Sequence, residues 1–213
     1  MITVFRTTSM VPHQFNSYLD AYGRVGWSVA KEHLGECDGA YVVEVGPQQQ
    51  VIEMWRLRDP RDWMERSAQL HNDSHWRAFR AIVDGSIRDE TDRIYRDAPF
   101  IPVNNLTDAH DFVEMRIYRS HPGVLDHFLV LYAAEGLPIR IGHLGNCLGY
   151  FRSLDGRVDE VAHLWGYRDL NDRIKRRAAL FADTEFKKFL LKGMPHFQHQ
   201  ENMILRPAAF WRP

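Results

Sequence analysis

The hydrophobic pattern of the chain predicts short strands that alternate with amphipathic helices. Each half of the sequence contains four runs of alternating or β-branched residues, as expected for strands. In the first half these runs are residues 2–8, 39–46, 50–58 and 88–96, and in the second half they are residues 112–119, 148–154, 158–168 and 198–206. The Asp155-Gly156 pair predicts a tight hairpin turn between two of the strands.

Helices are predicted on either side of the two central strands of each half. Pro12 and Pro122 are each expected to open a helix, because the first turn does not need the missing backbone N–H. Gly35 and Gly145 are expected to end one, because that position favours a positive φ. The predicted N-caps of the later helices are Asp59 and Asp169. Apolar residues recur at helical spacing, namely Trp76, Phe79 and Ile82 in the first half and Leu125, Phe128, Leu129, Tyr132, Ile139, Phe186, Phe189 and Leu190 in the second.

The second half of the sequence repeats the first. With an offset of 110 residues the halves align without a gap, and 25 positions between residues 6 and 100 are identical. Random matching at average composition would give about six identities. The segment His33-Leu34-Gly35, for example, falls on His143-Leu144-Gly145, and Trp55 falls on Trp165. Each copy has the element order βαββαβ, which is the ferredoxin-like motif.

The repeat predicts the domain organisation and the fold class. We expect one repeat at residues 1–100 and a second at 112–213, joined by a linker at 101–111 whose prolines and asparagines are typical of a connecting segment. A four-stranded antiparallel sheet with helices on one face leaves its other face uncovered, and a second copy on the same chain is the simplest cover. The expected fold class is therefore α+β, with two tandem ferredoxin-like repeats forming a pseudo-twofold dimeric α/β-barrel.

The composition narrows the class of protein and its partners. The chain has 213 residues, of which 45% are hydrophobic and 26% are charged, with a formal net charge of −1. This near-neutral balance gives no electrostatic footprint for nucleic acid or an anionic membrane. Two cysteines favour a reducing compartment, and the first residues lack the pattern of a signal peptide. We therefore expect a cytoplasmic protein without nucleic-acid or membrane partners.

Candidate functional residues lie on the strands of the second copy. His163, Trp165 and Tyr167 share one face of its third strand, and Arg116 and Tyr118 share one face of its first strand. The alternate residues of the third strand are small or aliphatic, which suits packing against helices. We therefore expect the aromatic and charged face to point away from the helices, into the space between the sheets. Aromatic walls with a few polar groups are typical of a small-molecule pocket.

Each of these residues has a chemical interpretation and a structural alternative. His163 would serve as a general acid or base, or it is a buried histidine with satisfied hydrogen bonds. Arg116 would hold an oxyanion, or it pairs with Glu201 or Glu114. The tryptophan and the tyrosines form either pocket walls or part of the core.

The first copy has fewer candidate residues than the second. Glu53 and Trp55 take the places of His163 and Trp165, but neither of the two tyrosines is present. Duplication followed by loss in one copy usually leaves one working site. We therefore expect the better site in the second copy.

Metal and cofactor motifs are not apparent in the sequence. There is no CxxC, HExxH or carboxylate-rich loop, and no GxGxxG or P-loop. His33 and His143 precede the helix-ending glycines, where a cation favours the helix dipole. His199 and Glu201 share a strand face and leave a metal site as an alternative. We expect no metal and no cofactor, with haem as the alternative cofactor.

Motifs along the second copy, over residues 112–210, resemble those of a known family. In order they are Val113-Glu-Met-Arg-Ile-Tyr118, Pro122-Gly123, Leu131-Tyr132-Ala-Ala-Glu-Gly-Leu-Pro138, His143-Leu-Gly145, Val161-Ala-His-Leu-Trp-Gly-Tyr167 and Gln200-Glu-Asn-Met-Ile-Leu-Arg-Pro207. They resemble a NIPSNAP domain, and the first copy resembles a diverged version of it. The resemblance implies a dimeric α/β-barrel of ferredoxin-like units. It also carries over a candidate site made of Arg116, Tyr118, His143, His163, Trp165, Tyr167 and Glu201.

Barrel families near this one include cofactor-independent monooxygenases, isomerases, cyclases and haem enzymes, so the resemblance implies chemistry only at the level of the fold. We expect a small-molecule enzyme, a cofactor-independent oxygenase, isomerase or cyclase that acts on an aromatic or carbonyl compound. The expected catalytic residues are His163, Arg116 and Tyr118, and the expected substrate-binding residues are Trp165, Tyr167, His143, Glu201, Glu53 and Trp55. The alternatives are a non-catalytic module that binds a metabolite, haem or a protein partner, and a filled barrel with a structural role. Homo-oligomerisation is left open.

Overall fold

The computed structural model describes residues 1–100 and 110–211. These residues form two compact units, one made of Met1–Arg96 with the segment that begins at Arg206, and the other made of the described residues between Asp97 and Leu205. The predicted linker at 101–111 lies almost entirely outside the described residues. In the part of the chain that is described, no helix has both the length and the apolar character needed to cross a membrane.

The first unit contains one copy of the predicted repeat. Its strands are β1 (Ile2–Met10), β2 (Cys37–Val45), β3 (Gln50–Leu57) and β4 (Ile87–Asp97), and its helices are α1 (Phe15–Ala21), α2 (Trp27–Leu34), α3 (Pro60–Asn72) and α4 (Ser74–Val83). The strands pair antiparallel in the order β4-β1-β3-β2. The chain order βαββαβ is therefore the ferredoxin-like order predicted from the sequence.

The second unit contains the other copy. Its strands are β5 (Phe112–Ser120), β6 (Cys147–Ser153), β7 (Glu160–Tyr167) and β8 (Phe197–Pro207), and its helices are α5 (Leu125–Leu131), α6 (Leu137–Leu144), α7 (Leu170–Ala182) and α8 (Thr184–Gly193). The strands pair antiparallel in the order β8-β5-β7-β6. Both copies therefore have the same topology.

In each unit, the helices pack on one face of the sheet. In the second unit, Tyr118 and Trp165 from the strands pack in one hydrophobic cluster with Leu129 of α5 and Phe186 of α8. The first unit has the same arrangement, with Trp55 of β3 beneath its helices. Apolar burial between sheet and helices thus forms the core of each repeat.

The prediction that the aromatic and charged face of the second sheet points away from the helices is wrong. Arg116 lies opposite His163 in the pairing of β5 with β7, and the same face carries Tyr118 and Trp165 into the helix layer. Helices about 10 Å across pack over this face. Long side chains on the strands fill the space between the sheet backbone and these helices. Small residues such as Gly166 lie on the opposite face. Side-chain size therefore predicted the wrong face for the helices.

The predicted helix ends are confirmed at four positions. Gly35 follows α2 with a φ of +88°, and Gly145 follows α6 with a φ of +76°. Both glycines are in the region that side chains disfavour. The side chains of Asp59 and Asp169 each accept a hydrogen bond, at 2.8 Å, from the backbone N–H three residues later. These N-caps begin α3 and α7.

Two predictions about the helices are wrong. Pro122 does not open a helix, because Gly123 follows it with a φ of +77° and α5 begins only at Leu125. Ile82 is 75% exposed instead of buried. Val83 takes the buried position in its place, since a helix of 3.6 residues per turn brings the i+4 residue to the inner face here.

Both helix pairs after the first strand of a repeat contain a π-helical turn. Tyr22–Gly26 joins α1 to α2, and Tyr132–Gly136 joins α5 to α6. Such turns widen a helix locally and are frequent at functional sites. A Cβ added at Gly136 would lie only 2.6 Å from a ring carbon of Phe189. The widened turn therefore packs so closely on α8 that it requires glycine at this position.

A short segment caps the tyrosine-bearing strand of the second unit. The backbone N–H of Ala98 donates to the carbonyl of Tyr150 at 2.8 Å, and the ring of Phe100 lies 5.6 Å from the ring of Tyr150. Ala208 makes the same backbone bond to Ala40 in the first unit, also at 2.8 Å. The two copies therefore share this contact as well as their strands and helices.

Candidate functional site

A layer of aromatic and basic side chains lies between the sheet and the helices of the second unit. His163 of β7 is at its centre and is 1% exposed. Its ring stacks on that of Tyr150, with centroids 4.9 Å apart, and the ring of Tyr118 meets it edge-on at 5.0 Å. The residues that we call the His163 cluster are His163, Tyr118, Tyr132, Arg140, Tyr150 and Trp165.

The hydrogen bonding of His163 identifies which ring nitrogen carries its proton. The indole Nε1–H of Trp165 donates to Nδ1 of His163 at 2.8 Å. An indole is a donor only, so Nδ1 is unprotonated and the neutral imidazole carries its proton on Nε2. Burial, together with the positive charges of Arg140 and Arg116, lowers the pKa of His163 well below its ordinary value. The geometry therefore gives His163 an N–H donor at neutral pH rather than a base.

Arg140 of α6 brings a buried positive charge into the cluster. It is 7% exposed, and its guanidinium carbon lies 5.8 Å from the ring centre of Tyr132 and 5.3 Å from that of Phe186. No carboxylate pairs with it among the described residues. Burial opposes the charge, while the surrounding tyrosines and a side-chain hydrogen bond with Tyr118 raise the pKa of Arg140 above its ordinary value. A tyrosine side chain is uncharged at neutral pH, so these contacts give Arg140 polar neighbours but no negative charge.

Four polar atoms of the cluster have no hydrogen-bond partner in the described part of the protein. They are Nε2 of His163, Nε of Arg140 and the hydroxyl oxygens of Tyr132 and Tyr150. Buried polar groups are nearly always paired, and an unpaired one costs about 1–3 kcal/mol. All four groups can donate a hydrogen bond. A molecule that satisfied them would therefore present acceptor oxygens.

Glu114 of β5 holds three arginines beside the cluster. Its carboxylate is fully buried and accepts from Arg116 at 2.6 Å, Arg173 at 2.7 Å and Arg177 at 3.3 Å. Burial opposes its ionisation, but the bond from Arg173 and the positive charges outweigh this and lower the pKa of Glu114. Nε of Arg116 also donates to the hydroxyl of Tyr118 at 2.6 Å. Arg116 is thus held by a structural ion pair, which was one of its two predicted roles.

The remaining predicted residues of the second copy lie in different places. Tyr167 is buried beside the cluster, where burial and the charge of Glu114 raise its pKa to about 12. His143 hydrogen-bonds Asp183 at 2.8 Å and so links the end of α6 to the N-cap of α8. Glu201 lies opposite Ile117, on the sheet face away from His163, and is half-exposed. The structure therefore places Tyr167, but not His143 or Glu201, with the cluster.

The first repeat replaces the cluster with a satisfied carboxyl group. Glu53 is buried at the position of His163 and accepts from the hydroxyl of Tyr22 at 2.5 Å and from Nε1 of Trp55 at 3.3 Å. Alanine stands at the two positions that correspond to Arg140 and Tyr150, which are Ala30 and Ala40. The carboxyl group of Glu53 is therefore satisfied by hydrogen bonds from Tyr22 and Trp55. The first repeat does not reproduce the set of unpaired donors found around His163.

We expect Glu53→Gln to remove a pH dependence of stability. Burial raises the pKa of Glu53 above its usual 4.5, so the folded state binds this proton more tightly than the unfolded state. Its stabilising effect is therefore present below the ordinary pKa and is lost as pH rises through the raised value. Denaturant unfolding across a pH series should show a decline in the wild type that is smaller in the variant. The exposed Glu32→Gln is the control, and an equal decline in all three proteins would contradict the expectation.

Arg140, Tyr132 and Tyr150 belong to the His163 cluster but are not among the site residues predicted from the sequence. A signal for Arg140 was present, because its spacing from Leu137 and Leu144 places it on the buried face of α6. A charge on such a face is rare unless it is paired. The two tyrosines carried no comparable signal, since they fit an apolar pattern equally well.

The cysteines and histidines form no metal site in the described residues. No group of three or more metal-ligating side chains comes together there. Cys37 and Cys147 are free, and burial raises the pKa of Cys147 to about 12. The thiols are therefore protonated at neutral pH and unreactive as nucleophiles.

Similarity to known proteins identifies the family. The model of the NIPSNAP family matches both repeats, at residues 3–102 and 113–212. The chain belongs to the NIPSNAP family. Protein NipSnap homolog 2 of Danio rerio is 25% identical to this NIPSNAP chain over 178 residues, which are 83% of this chain and 62% of that protein. The chain thus spans less than two thirds of that relative.

Solved structures show the same fold at low sequence identity. A putative monooxygenase from Lactobacillus acidophilus NCFM is 10% identical, with a TM-score of 0.62 over 96% of this NIPSNAP chain and 92% of that one. An anthrone oxidase-like protein is also 10% identical, with a TM-score of 0.66 over 97% of this chain and 90% of that one. The predicted fold class, tandem ferredoxin-like repeats of the dimeric α/β-barrel type, is confirmed.

Proposed function

We propose that this NIPSNAP chain is a cofactor-independent enzyme whose second repeat binds a small molecule with a carbonyl or phenolic oxygen. The observation that carries the proposal is the set of four buried donors in the His163 cluster that have no hydrogen-bond partner among the described residues. We therefore place the proposed site in the sheet–helix layer beneath α5, α6 and α8, and not in the expected space between the sheets. The aromatic rings around them supply the apolar wall of a small-molecule site.

The donor set suits an oxygen that becomes negatively charged during reaction. An enolate or phenolate oxygen carries this charge once the compound has lost its C–H or O–H proton to solvent, which precedes both the isomerisation of a carbonyl compound and the reaction of an electron-rich ring with dioxygen. Fixed donors aimed at such an oxygen lower the barrier because they need no reorganisation. In this chemistry Nε2–H of His163 and the hydroxyls of Tyr132 and Tyr150 donate to the oxygen. Trp165 acts as a positioning residue, because it fixes the tautomer of the histidine.

Oxygenation without a metal is the first reaction to test. Two proteins of this fold are described as a putative monooxygenase and as anthrone oxidase-like. At 10% identity the likeness concerns the fold alone. The donor set therefore remains the basis of the proposal, and isomerisation is tested beside oxygenation.

Turnover of a panel of phenols and 1,3-diketones tests the proposal, with dioxygen uptake and product mass as readouts. Tyr132→Phe removes one donor and keeps the ring, so we expect it to lower kcat/KM by about 100-fold. Tyr22→Phe is the matched control, because it changes the corresponding residue of the first repeat. Equal activity of both variants with a substrate that the wild type converts would refute the site.

A non-catalytic binding module is the second candidate. It is favoured by the lack of a free base in the described part of the cluster, where Glu114 is held by three arginines and Nδ1 of His163 accepts from Trp165. If the chain is a binding module, a ligand should bind saturably and change the fluorescence of Trp165, and no product should form. The same panel therefore separates the two candidates.

A further inference from the structure

We infer that the molecule held by the His163 cluster is an anion, and that its negatively charged oxygens lie against the guanidinium of Arg140. The inference rests on the proposed function and adds the charge class of the ligand. A carboxylate is the simplest chemical group of this kind, because its two oxygens can face a planar guanidinium and a neighbouring hydroxyl together.

The balance of buried charge supports an anionic ligand. Four arginines lie in the sheet–helix layer of the second unit, namely Arg116, Arg140, Arg173 and Arg177. Glu114 pairs with Arg116, Arg173 and Arg177, and no carboxylate among the described residues pairs with Arg140. Arg140 has a side-chain hydrogen bond with Tyr118 but no opposite charge among the described residues. A buried charge without an opposite charge is unfavourable, and an anion at hydrogen-bond distance offsets this cost. The missing charge in this layer is negative.

The position of Arg140 supports a role beyond folding. It lies on the buried face of α6 between Leu137 and Leu144, and its Nε has no partner among the described residues. The first repeat folds with Ala30 at the corresponding position. The ferredoxin-like repeat therefore does not require an arginine there, and the buried cation belongs to the second copy alone.

The neighbouring donors fit the second oxygen of such a group. The ring of Tyr132 contacts both Arg140 and Tyr150, at 5.8 Å from the guanidinium carbon and 4.8 Å from the ring of Tyr150. Tyr150 stacks in turn on His163. Two hydroxyls and an imidazole N–H thus belong to the same contact network as the cation. These groups can donate to either a neutral or a charged oxygen, and the charge of Arg140 favours the charged one.

Matched pairs of small ligands test the inference directly. The full chain is titrated at neutral pH with formate against formamide, acetate against acetamide, and benzoate against benzamide, which differ mainly in charge. The readouts are the ¹H–¹⁵N signals of the Trp165 indole and of Arg140 Nε. We expect at least one carboxylate to shift both signals and to bind at least tenfold more tightly than its amide, a difference of about 1.4 kcal/mol.

Two variants assign the binding to Arg140. Arg140→Met should abolish the preference for the carboxylate. Arg168→Met should keep it, because the Arg168 side chain is 75% exposed and the change in net charge is the same. If Arg140→Met does not fold, Tyr132→Phe and Tyr150→Phe keep the core volume, and each should still weaken carboxylate binding by at least threefold.

The outcomes separate this inference from the proposed function. Equal binding of carboxylate and amide, with a shift of the Trp165 signal, overturns the anion inference and leaves the proposed function standing. Carboxylate binding that survives in Arg140→Met, or in both tyrosine variants, also overturns the inference. If no ligand in either series perturbs Trp165, water alone satisfies the cluster, and both the inference and the proposed function fail.

Discussion

Replacing Glu114 with glutamine is expected to lower the free energy of unfolding by about 3–5 kcal/mol, because removing one partner of a buried ion pair leaves the others uncompensated. Three arginines donate to this fully buried carboxylate, at 2.6, 2.7 and 3.3 Å. Glutamine keeps the shape of the side chain but removes its charge. Denaturant unfolding followed by circular dichroism measures the difference.

The control for this prediction is a glutamate on the opposite face of the same sheet. Glu201 is half-exposed and contacts Arg119 and His199 at 3.4 and 3.6 Å. Exposed pairs of this kind contribute about 0–1 kcal/mol, so Glu201→Gln should have little effect. A loss at Glu114→Gln no larger than that of the control would show that the arginines are not held by this carboxylate.

The same variant should change the response to acid. The pKa of Glu114 is lowered in the folded state, since the arginine bonds outweigh its burial. Its contribution to stability is therefore present above the ordinary carboxyl pKa and is lost as pH falls through the lowered value. The gap between wild type and Glu114→Gln should narrow on acidification, in the opposite direction to the effect expected at Glu53.

Replacing Arg140 with methionine is expected to raise the free energy of unfolding by about 2 kcal/mol in the absence of ligand. Exchanging buried charges for apolar groups of similar size often stabilises a protein by about 1–4 kcal/mol. Arg140 is a strong case, because it is 7% exposed and has no carboxylate partner in the described residues. Thermal and denaturant unfolding of the wild type and the variant, without added anions, measure the change.

A paired arginine provides the comparison. Arg6 is also buried, but both nitrogens of its fork donate to Asp92, at 3.0 and 3.2 Å. Arg6→Met should therefore lower stability, because it leaves Asp92 without its partner. If Arg140→Met lowered stability as much as Arg6→Met does, the charge of Arg140 would have a partner that the described residues do not contain.

The architecture of each repeat could be predicted from the sequence because its determinants are local. The 110-residue offset aligns Gly35 with Gly145 and Asp59 with Asp169, and each of these residues caps a helix through its own backbone or side chain. Hydrophobic periodicity then indicates the elements between them. A local signal survives in any tertiary arrangement, so these predictions did not depend on how the elements pack.

The candidate site could be predicted only in part because it depends on packing. Strand alternation correctly placed His163 and Arg116 on one face, but it does not reveal which face the helices cover. His143 and Glu201 were included through the family resemblance, and neither lies beside His163. Arg140 comes from a helix and meets the cluster only through the tertiary fold. The spacing of residues along the sequence does not show how close Arg140 lies to the strand residues of the cluster.

The π-helical turns bear on the history of the molecule. Tyr22–Gly26 and Tyr132–Gly136 occupy corresponding positions in the two copies, so parsimony places this turn in the single-copy ancestor, before the gene duplicated. Within residues 1–100 and 110–211, the set of unpaired donors around His163 occurs in the second copy and is not matched in the first, where Ala30, Ala40 and Glu53 stand at the corresponding positions. The widened helix is therefore an inherited part of the backbone, and the two copies differ in the side chains that surround it. The substitutions Ala30→Arg, Ala40→Tyr and Glu53→His in the first repeat would test whether the shared scaffold can hold the same cluster there.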